Sequence, residues 1–299
     1  MEALVVDYLR HFGLEREPFG NDPMPGFHFD CPGQRTVEQR LLRGPLLGKG
    51  LSVLIGGHGA GKTTILHRVV AALPDDRFEA AVMVMVRRDV EATAFLQRIA
   101  RLFGVPAPSE ERMALIGQLA GRLNQIQERG LRAVALIDEA QMLCGDTLLD
   151  ELRGLLNLEG GQARLLSLVL SGRPSFEARL SQHPDLLRRV DLKTRLAPFD
   201  AETTARYLAA RVAFARGKPG ILHPAAVSTV HALSRGVPRV INTLADNALY
   251  EAFLAGRGAV AMEDVERAAE DLGIGQHEAE IETAEAVLAP FAEYAVSEL

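Results

Sequence analysis

Leu51-Ser-Val-Leu-Ile-Gly56-Gly-His-Gly-Ala-Gly61-Lys-Thr-Thr64 decides the fold. A nearly all-apolar strand candidate, Leu51–Ile55, runs into a glycine-rich turn, and a helical run near Lys62–Leu73 follows. Gly56 to Thr63 fits G-x-x-x-x-G-K-T, and strand-turn-helix is the setting that this pattern requires. Glycines let the backbone turn tightly, so that its N–H groups converge on phosphate oxygens at the positive end of the next helix. On this reading Gly56, Gly57, His58, Gly59, Ala60, Gly61, Lys62, Thr63 and Thr64 surround a nucleotide, with His58 a variable loop position. Lys62 neutralises the β/γ phosphates and the Thr63 hydroxyl ligates Mg²⁺. A plain glycine-rich turn ahead of a helix is the bland alternative, and the flanking elements argue against it.

A second apolar run, Ala133–Ile137, delivers Asp138-Glu139-Ala-Gln141 at its carboxyl end. In an open parallel sheet that end is the ligand edge. There Asp138 would hold Mg²⁺ through water, and Glu139 would polarise the attacking water as general base. Alone, the two acids could equally cap a following helix. Paired with the phosphate loop, they equip the chain to hydrolyse as well as to bind.

Outward from these motifs the pattern alternates. Further strand candidates are Ala80–Val86, Leu165–Leu170 and Asp191–Leu196, and further helical stretches lie near Glu91–Phe103, Glu110–Arg129 and Thr147–Leu156. Apolar strands separated by helices predict an α/β fold, a parallel sheet covered on both faces. The alternating Val82-Met-Val-Met-Val86 run is expected to be a buried central strand. After Pro198 strand signals stop. Asp200 and His223-Pro224 read as helix starts, Gly236-Val-Pro238 breaks one helix and opens the next, and Met262–Leu272 supplies a short last helix. The expected organisation is a lead-in to residue 49, a nucleotide-binding domain over 50–197, a helical lid over 198–273 and an acidic tail over 274–299.

Composition narrows the function. Hydrophobic residues form 47% of the 299, enough for a real core, so disorder over the whole length is excluded. No apolar run approaches a bilayer span, and the start, Met1-Glu-Ala-Leu, lacks the features of a signal peptide. Cys31 and Cys144 lie far apart, without a metal or disulfide pattern. A cytoplasmic protein is expected. Six glutamates in residues 276–299 account for the net charge of −6 and leave a neutral body. That balance, with no Trp, does not advertise a nucleic-acid surface, although a local patch remains open.

Several stretches together resemble the ExeA/GspA secretion ATPases of the AAA+ class, relatives of the TnsC/TniB/MuB-type transposition ATPases. They are Tyr8-Leu-Arg-His-Phe-Gly-Leu14, Glu17-Pro-Phe19, the Asp22-Pro segment leading to Phe27-His-Phe29, the phosphate loop, and Leu136-Ile-Asp-Glu-Ala-Gln141. Val169-Leu-Ser-Gly172 with Pro174, and Gly236-Val-Pro-Arg-Val-Ile-Asn242, complete the set. The resemblance implies ATP with Mg²⁺, and a polar sensor near Ser171, where Arg173 replaces a glutamine common in relatives and leaves the choice between the two open. It implies an arginine finger from Arg188 or Arg189, offered to a neighbour's nucleotide, and a lid sensor in Arg239. A solvated basic loop or a helix-surface arginine is the plainer alternative for these three. The Phe12–Phe29 segment either passes near the base or forms a satellite core. Implied partners are other copies, in a ring or filament, and a secretion or envelope complex, with no membrane span of the chain's own. Duplex DNA, lined by Arg87, Arg88, Arg101 or Arg112, and an ATP-switched scaffold are the alternatives.

Overall fold

The computed structural model describes residues 8–21, 26–88, 90–160 and 163–274. The acidic tail and part of the Asp22-Pro segment lie outside the described residues. The chain divides into two compact units, residues 30–197 and residues 1–29 with 198–299.

Among the described residues the first unit has seven strands: β1 (Leu51–Gly56), β2 (Phe78–Val84), β3 (Arg132–Asp138), β4 (Glu159–Gly160), β5 (Ala163–Arg164), β6 (Leu166–Gly172) and β7 (Val190–Leu196). β4 and β5 pair as a small antiparallel hairpin. The other five form one parallel sheet in the order β2-β3-β6-β1-β7. Parallel strands need crossovers, and the helices that make them cover both faces. Helices Ala92–Leu102, Arg112–Glu128, Asp146–Leu155 and Pro174–Ser181 bury Phe95, Leu119, Leu152 and Phe176 against Val53, Ala135 and Leu168 on one face. Helices Pro32–Leu46 and Lys62–Ala72 bury Leu41, Ile65 and Val69 against Leu54, Val134, Leu136 and Val169 on the other. Strand residues alternate between the two clusters because successive side chains of a strand point to opposite faces.

One expectation is overturned. The Val82–Val86 run is no central strand: β2 is an edge of the sheet, it ends at Val84, and Val84 and Val86 are exposed while Met83 and Met85 are buried. Continuous apolarity suggested cover on both faces, but the run keeps the period-2 alternation of a half-covered edge.

In the second unit, helices Ala201–Phe214, Pro224–Ser234, Pro238–Leu254 and Met262–Asp271 follow one another. The first starts where the Asp200 carboxylate accepts the Thr203 N–H at 2.7 Å, and prolines open the next two. The amino-terminal segment packs with these helices. Phe12, Leu14 and Phe19 are buried, and the Phe29 ring meets Tyr207 edge-on at 5.2 Å. This segment therefore serves as core of that unit.

Candidate nucleotide site

The carboxyl ends of β1, β6 and β3 finish level. Ile55 is paired with Gly172, and Ile137 with Leu170. β6 lies between the strand that feeds the phosphate loop and the strand that carries the acids, so three chemically different strand ends meet at one edge.

At β1 the chain turns through Gly59 (φ 70°) and Gly61 (φ 94°) before the helix begins at Lys62. Left-handed backbone of this kind is strained for residues with a Cβ, which is why the loop needs glycine there. Gly57, His58, Thr63 and Thr64 are open to solvent, while Ala60 is buried among the apolar residues below. The first turn of Lys62–Ala72 leaves backbone N–H groups without intrahelical partners, aimed at the open side of the loop. Lys62 is 5% exposed and its ammonium donates to the Gly57 carbonyl at 2.8 Å. Burial lowers the Lys62 pKa from the usual lysine range; Glu139 and Asp138 pull it back up, and Arg173 adds to the lowering.

Asp138 is 1% exposed, and its Oδ2 accepts the Thr63 hydroxyl at 2.5 Å. The motifs lie 75 residues apart in the chain, yet the fold sets these two oxygens side by side. A carboxylate beside a hydroxyl suits a hard cation that keeps waters and takes phosphate oxygens for its remaining positions. Among the described residues no group of three or more His, Cys, Asp or Glu forms a fuller metal cage.

Glu139 follows in left-handed backbone (φ 56°, ψ 40°), rare for a residue with a side chain and costly unless its surroundings hold it. The Asp138 carboxylate accepts the Glu139 N–H at 2.9 Å. Gln141 donates to Glu139 Oε2 and accepts the Arg173 N–H at 3.1 Å. The Arg173 guanidinium stands 3.7 Å from the Glu139 carboxylate and 3.2 Å from His58 Nδ1. Ser171 lies on the sheet face of Val169 and Asp138, fully buried, with its Oγ lacking a hydrogen-bond partner among the described residues.

The fold thus brings Lys62, Thr63, Asp138, Glu139, Ser171 and Arg173 to one edge. It does not bring Arg188 and Arg189 there. They precede β7, whose first residue is level with Leu51, so they stand at the opposite edge, about 20 Å away for strands of this length. Arg188 is exposed and paired with Asp185. Arg239 is exposed in the first turn of Pro238–Leu254, in the other unit. Gln141, last residue of the Asp-Glu-Ala-Gln motif, has no role legible in the sequence; it is a buried amide two residues past Glu139 whose partners come together only in the fold.

The sheet order is that of the P-loop AAA+ fold, and residues 46–180 match the AAA domain family. The chain is related to general secretion pathway protein A of Aeromonas hydrophila, 31% identical over 265 residues, 88% of this chain and 48% of that protein. It spans about half the length of that curated relative. Solved structures share the fold. Cdc6p from Pyrobaculum aerophilum has a TM-score of 0.66 at 21% identity, over 85% of this chain and 70% of its own. The Aeropyrum pernix ORC2 protein, solved as ADPNP–ADP complexes, has a TM-score of 0.63 at 16% identity, over 86% and 71%. The Aeropyrum pernix ORC1 protein in complex with DNA has a TM-score of 0.61 at 22% identity, over 83% and 68%.

Proposed function

We propose that the chain binds and hydrolyses ATP within a ring or filament of its own copies and couples turnover to a protein partner of a secretion or envelope complex. The observation that carries hydrolysis is the meeting of Lys62, Thr63, Asp138 and Glu139 at one sheet edge. Lys62 and the glycine backbone take the phosphates. Thr63 and Asp138 would hold Mg²⁺, which supplies charge neutralisation on the β/γ oxygens when bound. Glu139 takes the proton of the attacking water, and Ser171 or Arg173 reads the γ-phosphate. We assign 50–197 as the nucleotide-binding domain and 198–273 as the lid, with Arg239 its sensor.

The position of Arg188 and Arg189 supports a role between copies. At the edge away from their own phosphate loop, they can serve a neighbour's nucleotide, and an arginine there offsets charge developing in the transition state. Such head-to-tail contacts close into rings or run on as filaments. The secretion reading rests on the Aeromonas relative, half of whose length the chain covers. We place the protein in the cytoplasm, with any membrane link through its partner; no helix among the described residues is long and apolar enough to cross a membrane. The solved ORC1 neighbour in complex with DNA keeps a duplex-DNA, transposition-like role as the second reading.

The test measures ATPase rate and particle size across protein concentration, with and without duplex DNA at moderate and high salt. We expect magnesium-dependent turnover that climbs as copies assemble and is indifferent to DNA. Strong salt-sensitive stimulation by DNA would favour the second reading. Failure to retain ATP at any magnesium concentration, or undiminished turnover by a strict monomer, rejects the proposal.

A further inference from the structure

Gln141 is 9% exposed and uses both ends of its amide. The nitrogen donates to the Glu139 carboxylate, and the oxygen accepts the backbone N–H of Arg173 at 3.1 Å. A buried amide is costly unless it is bonded, and here the two bonds tie the residue after β3 to the end of the neighbouring strand β6. Glu139 needs such a tie, because its own backbone is in a conformation that a non-glycine residue does not hold unaided.

A charged neighbour of the carboxylate is Arg173. Arg173 lies between Glu139 and His58 of the phosphate loop. A triphosphate seated on that loop carries several negative charges against one on Glu139, and would draw the guanidinium to itself. The Gln141 amide carries no net charge, so the phosphate does not compete for it in the same way.

We propose that Gln141 is a positioning residue for hydrolysis, whose side-chain amide anchors the Glu139 carboxylate to the end of β6 and keeps it aimed when Arg173 turns to the triphosphate. The inference rests on the ATP-hydrolysis reading above. It makes Gln141 the element that lets one arginine answer to both the nucleotide and the base without leaving the base loose.

Two variants separate the bonds. Gln141→Met keeps the volume and loses both; Gln141→Glu keeps an acceptor for the Arg173 N–H and loses the donor to Glu139. Both are expected to lower kcat on the order of 10²-fold, the scale of a small misplacement of a reacting group, with the Kd for ATP held within threefold. Placed on Glu139→Gln, neither should slow the residual single-turnover rate further, because the carboxylate that the amide aims is gone. A purely structural amide would act in both backgrounds. Wild-type kcat in Gln141→Glu, or a loss that adds to that of Glu139→Gln, overturns the inference. If wild-type protein itself shows no turnover, or Glu139→Gln turns over at the wild-type rate, the hydrolysis reading fails and takes this one with it. If turnover is present, needs Glu139 and ignores Gln141, this inference alone fails.

Discussion

Replacing Lys62 by Met tests the site through binding and stability at once. The methionine keeps most of the stem that lies beside Gly56, so the change is chiefly loss of charge. With an effective dielectric near 20, an ammonium about 4 Å from a phosphate charge contributes about 4 kcal/mol. Part of that is offset, because the ammonium already donates to the Gly57 carbonyl, a bond with a net value of about 1 kcal/mol. The difference, about 3 kcal/mol, corresponds to roughly 10²-fold in Kd for ATP or ADP, measured by titration calorimetry in magnesium. The empty protein should respond in the other direction. Burial depresses the Lys62 pKa, so at every pH below its folded value the charged form is held at a cost that the unfolded chain does not bear. A lowered folded-state pKa carries a cost at any pH below the ordinary lysine range, pH 7 included, and the Gly57 carbonyl keeps the Ala60 N–H when the ammonium goes. Lys62→Met should therefore unfold no earlier than wild type in thermal denaturation. Nucleotide Kd values within threefold of wild type would refute the phosphate role of Lys62. A large drop in the midpoint of the empty protein would refute the electrostatic part of the reasoning.

Two further expectations concern the helical unit. Gly236 has φ 73°, and a Cβ there would stand 1.9 Å from the Phe199 carbonyl oxygen, whose amide N–H the Gly236 carbonyl accepts. Gly236→Ala should lose about 3 kcal/mol or more in urea unfolding, since backbone on both sides leaves no flexible atom to yield; a loss under about 1 kcal/mol would contradict this placement. Asp246, half-buried on helix Pro238–Leu254, has its pKa raised by burial first and by Glu17 second. A raised folded-state pKa means stability that is present below the unfolded carboxylate value and declines as pH climbs through the folded one. Asp246→Asn should thus be more stable than wild type at pH 7 and lose that advantage below about pH 4; equal stability of the two at both pH values would sink the assignment.

Much of this protein is written locally along the chain. The loop from Gly56 to Thr63 has to place glycines where φ is positive, a hydroxyl next to a lysine, and an apolar strand before them, and each demand is met by residues adjacent in sequence. The five strands of the sheet and the helices after Pro198 were legible for the same reason, since apolar period, N-caps and prolines act over a few residues. Asp138 and Glu139 were legible because a strand end is itself a local signal.

Order and neighbourhood were not. The Val82–Val86 run reads as central by its apolarity, but its place at an edge follows from which strand pairs with which, a choice made by contacts between residues far apart in the chain. The amino-terminal phenylalanines looked like a lead-in, and only the packing of Phe29 on Tyr207 shows what they cover. Arg173 is one of two candidate sensors, with Ser171, and its guanidinium stands near both His58 and Glu139 only because β6 lies between β1 and β3. Gln141 carried no role until its two partners, one from the next strand, closed around it. Local rules choose the elements and the chemistry of single positions. Which charge faces which is set by the sheet's strand order, because side chains from separate stretches interact only after the backbone has brought them within a few ångströms.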